Sequence, residues 1–160
     1  KIVNKKNIMQ QICDLYFPKV LDDYSPLQYL HLYQPDFIYD PKQHNVGYLN
    51  VNVRRIALVN FVIEFRKRKM QIYNVPTQYR DHKNLTQNEA FEFALTQIDL
   101  DKYQMSKTNV TDSPVIWYFP LILLNSDEKV GAGICVDKLD GHIWTMQEIE
   151  IYNYDFNSII

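Results

Sequence analysis

Apolar residues dominate a long stretch in the second half of the chain, and their pattern is typical of strands. Residues 115–124 form an apolar run that is rich in β-branched and aromatic side chains and too short to cross a membrane. Residues 125–129 are polar turn formers, and the strand pattern resumes over residues 130–136. These stretches predict a hairpin of two antiparallel strands.

A second turn and a third strand are predicted directly after this hairpin. Residues 138–141 interrupt the apolar pattern, and Gly141 suits a positive φ that would close a hairpin with a bulge. Residues 143–152 then alternate, with isoleucines on one face and Glu148 and Glu150 on the other. We therefore expect a sheet with one covered and one solvent-facing side.

The N-terminal segment shows the spacing of a helix. Ile8, Ile12 and Leu15 recur at three- and four-residue intervals. Pro18 would kink or end the regular part. The pattern predicts a helix over residues 4–23 that is capped by the asparagine at its start.

Between residues 24 and 54 the chain predicts a loop and a hairpin. The segment 24–40 is aromatic, is interrupted by prolines and leads into a short strand near residues 37–39. A turn signal follows at residues 40–45, and residues 46–54 alternate between apolar and polar positions. We expect residues 37–39 to pair with residues 46–54.

Residues 55–73 fit two different structures. Val59, Phe61 and Ile63 alternate on one face of a strand, whereas the absence of Gly and Pro also suits a buried helix. The many β-branched side chains favour the strand, and the helix stays open as the alternative. In the strand interpretation the basic residues 66–69 form a solvated turn or edge.

A helix start is visible in the middle of the chain. Thr86 and Glu89 have the spacing of a capping box, and apolar residues follow at core spacing until the helix fades near Tyr103. The flanking residues 75–83 and 106–113 are predicted to be linkers. The order helix, strands, helix, strands then follows from the whole chain.

This order predicts the fold class. We expect a single α+β domain over residues 1–160, with an antiparallel sheet and two or more helices packed on one face. The order also predicts a loose duplication of one helix-plus-strands unit, with sub-units at residues 1–83 and 84–160.

Composition indicates a globular chain with an uneven charge distribution. The hydrophobic fraction is 46%, the charged fraction is 22%, and the net charge of −2 gives no overall field that attracts nucleic acid. Residues 1–83 carry 13 Lys and Arg against 7 Asp and Glu, whereas residues 84–160 carry 4 against 12. The asymmetry indicates either a polar interaction surface or two faces that attract each other within one fold.

The cysteines and the chain start bear on the compartment. Cys13 and Cys135 are far apart in sequence and are predicted to be buried free thiols, with one bridge as the alternative in an exported protein. No run of 18 apolar residues exists, so we expect no membrane span.

The chain starts at Lys1 and not at Met, so we expect that an upstream segment was removed. We expect a cytoplasmic protein, with export after signal removal as the alternative.

The sequence predicts no cofactor, no metal and no enzymatic activity. The four histidines fall at no metal-ligand spacing: His31, His44, His82 and His142. No phosphate loop, nucleophile elbow or dinucleotide fingerprint is present. Residues 137–141 mismatch a calcium loop at three ligand positions, which predicts a turn. Basic residues 54–55 and 66–69 have the charge to meet phosphates, but the acidic second half opposes nucleic-acid binding.

Three small residues lie inside one predicted strand. Gly131, Ala132 and Gly133 weaken the sheet locally and leave room for a close neighbour. We expect that neighbour to be Trp117 or Trp144 of an adjacent strand, with a partner's side chain as the alternative.

The second half of the chain resembles the PepSY-type module. In that module a helix packs on a three-stranded sheet, and a V-D-x-x-x-G-x-I element closes the last hairpin. Val136, Asp137, Gly141 and Ile143 match this element, with a spacing that departs by one residue from its commonest version. Similar endings occur in small bacterial immunity proteins, including NTF2-like ones. The resemblance covers roughly 75 of the 160 residues and implies an inhibitor or binding module without catalytic residues.

The leading hypothesis is an immunity protein that occludes the active site of a bacterial toxin or other effector, with its acidic half facing a basic cleft. The predicted partner-binding residues are six acids and one aromatic anchor: Asp127, Glu128, Asp137, Asp140, Glu148, Glu150 and Trp144. Two alternatives stay open. One is an exported PepSY-like regulator of a protease, and the other is an NTF2-like protein or enzyme with a deep pocket lined by Tyr, His and acidic residues.

Overall fold

The chain folds into two compact units of α+β structure. A computed structural model describes residues 10–125 and 132–156, with side chains described as far as residue 153. The first unit comprises the chain as far as Arg80 together with the segment from Glu150 onward, and the second is Asp81–Ile149. Both units contain antiparallel sheets and helices, which confirms the predicted fold class.

The first unit is built on a three-stranded antiparallel sheet in the order β2-β1-β3. Its strands are β1 (Ile12–Phe17), β2 (Gly47–Arg54) and β3 (Tyr73–Pro76). Its helical elements before Glu150 are the 3₁₀ helix Ser25–Leu32, α1 (Arg55–Lys67) and the one-turn α2 (Gln78–Asp81).

The helix predicted over residues 4–23 is wrong where the structure describes it, because residues 12–17 form β1. Cys13, Leu15 and Phe17 alternate along this strand and are all fully buried. A two-residue period over three core side chains outweighs the looser helical spacing. Residues 1–9, with the predicted helix start, lie outside the described residues.

The strand favoured for residues 55–73 is also wrong, and the helix alternative is correct as far as Lys67. Leu58, Phe61, Val62 and Phe65 are buried at the i, i+3, i+4, i+7 spacing of one helix face. The helix ends at Lys67, and the positive φ of 60° at Lys69 turns the chain away from the helix axis. Burial of one face therefore outweighs the weak β-propensity of its branched residues.

The strand predicted over residues 46–54 is confirmed as β2, but its predicted partner is wrong. Residues 37–39 form no strand, and β2 pairs instead with β1, where Tyr16 lies opposite Tyr48. The linker predicted over residues 75–83 contains the end of β3 and all of α2. These pairings are non-local, so local turn signals could not reveal them.

The core of the first unit lies between one face of the sheet, α1 and the 3₁₀ helix. Its fully buried larger side chains are Leu15, Phe17, Leu27, Leu30, Val51, Leu58, Phe65 and Ile72. Phe17 meets Phe65 edge to face, with ring centroids 5.8 Å apart. This packing fixes β1 as the central strand.

The second unit is organised around β6 (Ile116–Leu123). β7 (Gly133–Asp137) pairs with one edge of β6, which confirms the predicted hairpin; the loop residues 126–131 lie outside the described residues. β4 (Tyr103–Met105) and β5 (Thr111–Asp112) pair with the opposite edge of β6. Strands of three and two residues carry too few positions for a visible period, which is why both were missed.

The predicted capping box is confirmed at the start of α3 (Gln87–Leu95). The Glu89 amide donates to Thr86 Oγ1 at 3.2 Å, and the Thr86 amide donates to Glu89 Oε1 at 3.3 Å. The helix ends at Leu95 and does not extend toward residue 103. Its buried face, Ala90, Phe91 and Ala94, packs on β6 and β7 to form the core of this unit.

The third strand predicted over residues 143–152 is wrong. After the turn at Gly141, whose positive φ of 77° agrees with the prediction, a single bridge joins Ile143 to β7. The chain then forms α4 (Met146–Phe156). A second capping box starts this helix, because the Glu148 amide donates to Thr145 Oγ1 and Glu148 accepts from the Thr145 amide.

The small residues of β7 accommodate an aromatic ring of the same unit. The ring of Tyr118, on β6, occupies the space where a β-carbon of Gly133 would project. Intramolecular aromatic packing is therefore confirmed, but the neighbour is Tyr118 and not the predicted tryptophan. Gly131 lies outside the described residues.

The remaining predictions concern the thiols and the membrane. Cys13 is buried as predicted, Cys135 is only half-buried, and the two thiols are not joined in a disulfide. The helices that the structure describes include none with the length and apolar character needed to cross a bilayer.

Candidate functional site

The segment between β7 and α4 is held together by Asp137. One carboxylate oxygen of Asp137 accepts the Leu139 amide at 2.8 Å, and the other accepts the indole Nε1–H of Trp144 at 2.8 Å. The Asp137 amide donates to the carbonyl of His142 at 2.9 Å. Asp137 is only 5% exposed, so its charge organises the turn and is not offered directly to a partner.

His142 lies between two carboxylates. Its Nδ1 is 2.5 Å from Oδ1 of Asp140, and its Nε2 is 2.8 Å from Oε2 of Glu148. A neutral imidazole has one N–H, so hydrogen bonds to two carboxylates at once require the doubly protonated ring. We call Asp137, Asp140, His142, Trp144 and Glu148 the His142 cluster.

The charges of the His142 cluster stabilise one another. Partial burial disfavours the charged ring, but hydrogen bonds to Glu148 and Asp140 and attraction to Asp137 outweigh it, so the pKa of His142 is raised above 6.5. Burial also opposes the charge of both carboxylates. Hydrogen bonds from His142 lower the pKa of Asp140 below 3.8, and those from Thr145 and His142 lower the pKa of Glu148 below 4.5.

Three of the four charged groups of this cluster are accessible to solvent to different extents, and only Asp137 is buried. The side chains of Asp140, His142 and Glu148 are 65%, 41% and 22% exposed. The unit around them is acidic, since residues 81–149 carry 11 Asp and Glu against 5 Lys and Arg. Lys138, beside the cluster in sequence, pairs with Asp112 and lies over the ring of Trp117, 4.4 Å from its centroid.

Four of the seven predicted partner-binding residues belong to the His142 cluster: Asp137, Asp140, Trp144 and Glu148. Asp127 and Glu128 lie outside the described residues. Glu150 is exposed on α4 and groups with the first unit. The shared face predicted for Glu148 and Glu150 is wrong, because residues two apart on a helix point roughly 200° from each other.

Sequence reasoning missed His142 as the centre of the cluster. Its spacing from Asp140 is that of a local side-chain pair, and Thr145 and Glu148 repeat the Thr-x-x-Glu pattern that was recognised at Thr86 and Glu89. Recognising this second capping box would have predicted the start of α4. It would also have placed the Glu148 carboxylate at a helix N-terminus, facing the preceding turn.

Three residues of the cluster have groups that metals bind. Among the described residues, ligand atoms of Asp137, Asp140 and His142 lie within 4.8 Å of one another. However, the Asp137 oxygens already accept two N–H groups, and the His142 nitrogens face two carboxylates. A cation would have to displace these bonds, so we assign the cluster as a hydrogen-bonded turn and not as a metal centre.

The second unit also has an open apolar groove of about 310 Å³ beside β4. It is lined by Phe91, Leu95, Leu100, Tyr103, Gln104, Met105 and Leu124. The lining contains one tyrosine and neither histidine nor acid. It therefore differs from the pocket lined by Tyr, His and acidic residues that the NTF2-like alternative predicts.

The first unit has a polar cluster of a different kind, centred on Asp14. This residue is fully buried; its Oδ1 accepts the Val51 amide at 2.9 Å and the Asn52 amide at 3.2 Å, and its Oδ2 binds Arg80 Nη1 at 2.6 Å. These bonds lie where the pairing of β1 with β2 is bulged. Burial, helped by Tyr16 and Asp14, raises the pKa of the neighbouring Tyr48 to about 12.

Some of the basic residues that have the charge to meet phosphates are buried or paired with acids. Arg55 is 5% exposed. Lys67 pairs with Glu64 at 3.1 Å, and Arg68 pairs with Glu64 and Asp23 at 3.2 and 3.4 Å.

Comparisons with known proteins assign no family to this architecture. The chain matches no protein-family model, and no curated protein or solved structure is significantly similar to it. The resemblance of the second half to PepSY-type modules and immunity proteins therefore stays a prediction from sequence. Function has to be argued from the geometry of the two units.

Proposed function

We propose that this chain is a non-enzymatic inhibitor that binds a basic partner protein through the His142 cluster, in the manner of an immunity protein that blocks a bacterial toxin or effector. The observation that carries the proposal is the placement of Asp140 and Glu148 around His142 on the acidic second unit. Exposed carboxylates at fixed positions attract a cationic surface and orient it.

The geometry also supports a binding role in preference to a catalytic one. Both ring nitrogens of His142 face carboxylates, so neither is free to take a proton from a substrate. Burial raises the pKa of Cys135, which makes its thiol a poor nucleophile at neutral pH, and Cys13 is fully buried. These features favour steric and electrostatic inhibition.

Trp144 gives the acidic face an aromatic component. Its indole N–H is fixed by Asp137, and the side chain is half-buried, so part of its ring is accessible at a defined orientation. Aromatic side chains held in this way are frequent anchors of protein interfaces, whereas surrounding charges mainly govern the rate of association.

The proposal is tested with the product of the neighbouring gene, because toxin inhibitors are usually encoded beside their targets. The two purified proteins should form a complex. The Asp140→Lys/Glu148→Lys variant should slow association at low salt by about tenfold or more, since both steering charges are reversed. Salt should reduce the association rate of the wild type and have little effect on that of the variant.

The matched control is Glu92→Lys/Asp101→Lys, which makes the same charge change at two exposed acids of the same unit. Its association rate should stay within about threefold of wild type, because neither side chain has a described hydrogen bond or ion pair to the His142 cluster and both act only through the screened field. Equal slowing by both variants would show that net charge matters and the His142 cluster does not. Absence of complex formation would contradict the inhibitor proposal for that partner.

A further inference from the structure

We propose that His142 is a pH-dependent latch that ties the start of α4 to the preceding turn and sets the negative charge that Asp140 and Glu148 present. Asp140 belongs to the turn after β7, Glu148 to the first turn of α4, and the imidazole bridges the two. The bridge needs a proton on each ring nitrogen.

Loss of one proton from the ring breaks one of these two hydrogen bonds. The remaining N–H can donate to Asp140 or to Glu148 but not to both, and the other carboxylate then faces an unprotonated nitrogen. Glu148 also completes the capping box of α4, because its carboxylate accepts the Thr145 amide. Deprotonation of His142 therefore weakens the attachment of the first turn of α4 and adds one net negative charge to the surface.

The charged groups around His142 all act in the same direction. Asp137 on β7, Asp140 in the turn and Glu148 on α4 each favour the protonated ring. Just after the end of α3, Gln97 donates to the carbonyl of Gly141 at 3.0 Å and contributes no charge. The latch is therefore closed in mildly acidic solution and opens as the pH rises beyond the ordinary histidine range.

The chain supplies an internal control. α3 and α4 begin with the same Thr-x-x-Glu capping box, but the α3 box, formed by Thr86 and Glu89, has no histidine bonded to its glutamate in the described contacts. Any change common to both helices reports the general effect of pH on the fold. A pH-dependent change that occurs only in α4 is caused by the titration of His142.

Hydrogen exchange of the full-length chain between pH 5.5 and 8.5 tests the proposal. After correction for intrinsic exchange, protection of the Glu148 and Ile149 amides, which donate to Thr145, should fall about two- to fivefold as the pH rises, the range for an exposed ion pair. The equivalent amides of α3, Glu89 and Ala90, should stay constant. In His142→Gln the protection of α4 should not depend on pH. Equal behaviour of α3 and α4 in the wild type would overturn the latch.

A second variant tests the same contact in case His142→Gln does not fold. Glu148→Gln keeps a capping side chain but removes the carboxylate, so the residual pH dependence of α4 should shift to lower pH. An unshifted dependence in this variant would overturn the role of Glu148.

The effect on binding rests on the proposed function and is measured separately. N-acetylated decalysine, whose side chains stay charged over this range, should bind the wild type more tightly at pH 8.5 than at pH 5.5, and the His142→Gln variant should lose most of this difference. If α4 responds to pH but decalysine affinity does not, the latch stands and the proposed acidic binding face fails. If affinity changes while α4 does not, the binding face stands and the latch fails.

Discussion

The two units use charged clusters in opposite ways. In the first unit Asp14 is fully buried, and its oxygens accept two backbone amides of β2 and the guanidinium of Arg80. In the second unit Asp140 and Glu148 surround His142 at the surface. Burial therefore decides what each charged cluster does. The buried Asp14 cluster fixes the pairing of β1 with β2, whereas the partly exposed His142 cluster contributes little stability and remains accessible to protons and partners.

The largest expected effect is that of removing the buried carboxylate. Asp14→Ala leaves Arg80 and two amides of β2 without their acceptor, so the free energy of unfolding should fall by about 3 kcal/mol. Chemical denaturation measures this loss. Asp36→Ala, in an exposed loop, should change stability by no more than about 0.5 kcal/mol. If the free energy of unfolding of Asp14→Ala fell by less than about 1 kcal/mol, the Asp14 cluster would be no more stabilising than the His142 cluster.

In the part of the chain that the structure describes, each unit has one glycine with a positive φ, and the two differ in how closely other side chains surround them. Gly47 and Gly141 have similar positive φ values of 80° and 77°, but a β-carbon at Gly47 would meet nothing within 4 Å, whereas one at Gly141 would lie 3.0 Å from Phe93 and 3.1 Å from Leu85. Gly47→Ala should therefore cost about 1 kcal/mol from backbone strain alone. Gly141→Ala should cost about 2 kcal/mol, because crowding is added.

Denaturation of both glycine variants checks this difference. Equal losses would mean that the turn of the His142 cluster can relax away from α3. That result would weaken the view that the cluster is held at a fixed geometry.

A smaller effect is expected from Glu148→Ala. The substitution removes a capping contact and an ion pair whose histidine is 41% exposed, so the expected loss of stability is about 1 kcal/mol. The loss should thus be about a third of that for Asp14→Ala under identical denaturation conditions. Comparable losses for the two variants would contradict the assignment of different roles.

The pH dependence of stability should be the smallest effect. The raised pKa of His142 stabilises the fold below 6.5, and this contribution is lost as the pH rises through the folded-state value. The lowered pKa values of Asp140 and Glu148 stabilise the fold above 3.8 and 4.5 and lose their effect as the pH falls through the folded-state values. The cluster should therefore contribute most between about pH 4.5 and 6.5.

The measurement is the difference in unfolding free energy between wild type and His142→Gln across the pH range. The difference should narrow above pH 6.5 and stay below about 1 kcal/mol throughout, since the groups are screened by solvent. If the difference in unfolding free energy grew as the pH rose, a stabilising role of the protonated His142 would be contradicted.

The parts of the fold that sequence predicted are those with local signals. The capping box at Thr86, the long apolar strand β6 and the positive φ at Gly141 depend on neighbouring residues and were correctly predicted. The parts that failed depend on distant partners. β1 is a strand because it pairs with β2 and β3, whose residues lie at least thirty positions from their partners in β1.

The sequence predicted the acidic residues of the candidate site but not the way in which His142 connects them. Charge density drew attention to Asp140 and Glu148, but an assumed strand after Gly141 placed Glu148 beside Glu150. The helix α4 separates those two side chains and turns Glu148 toward His142. Because residues 143–152 were assigned the two-residue period of a strand, the contact of His142 with both Asp140 and Glu148 could not be predicted.

The central claim is that two carboxylates hold His142 as a charged, doubly bonded ring, and nitrogen NMR of the full-length chain tests it most directly. At pH 6.5 the account predicts that both ring nitrogens of His142 give mainly the protonated signal, and that the titration midpoint lies above 6.5 and falls in Asp140→Asn/Glu148→Gln. One protonated and one unprotonated nitrogen at pH 6.5, with a midpoint that the double variant leaves unchanged, would contradict the account.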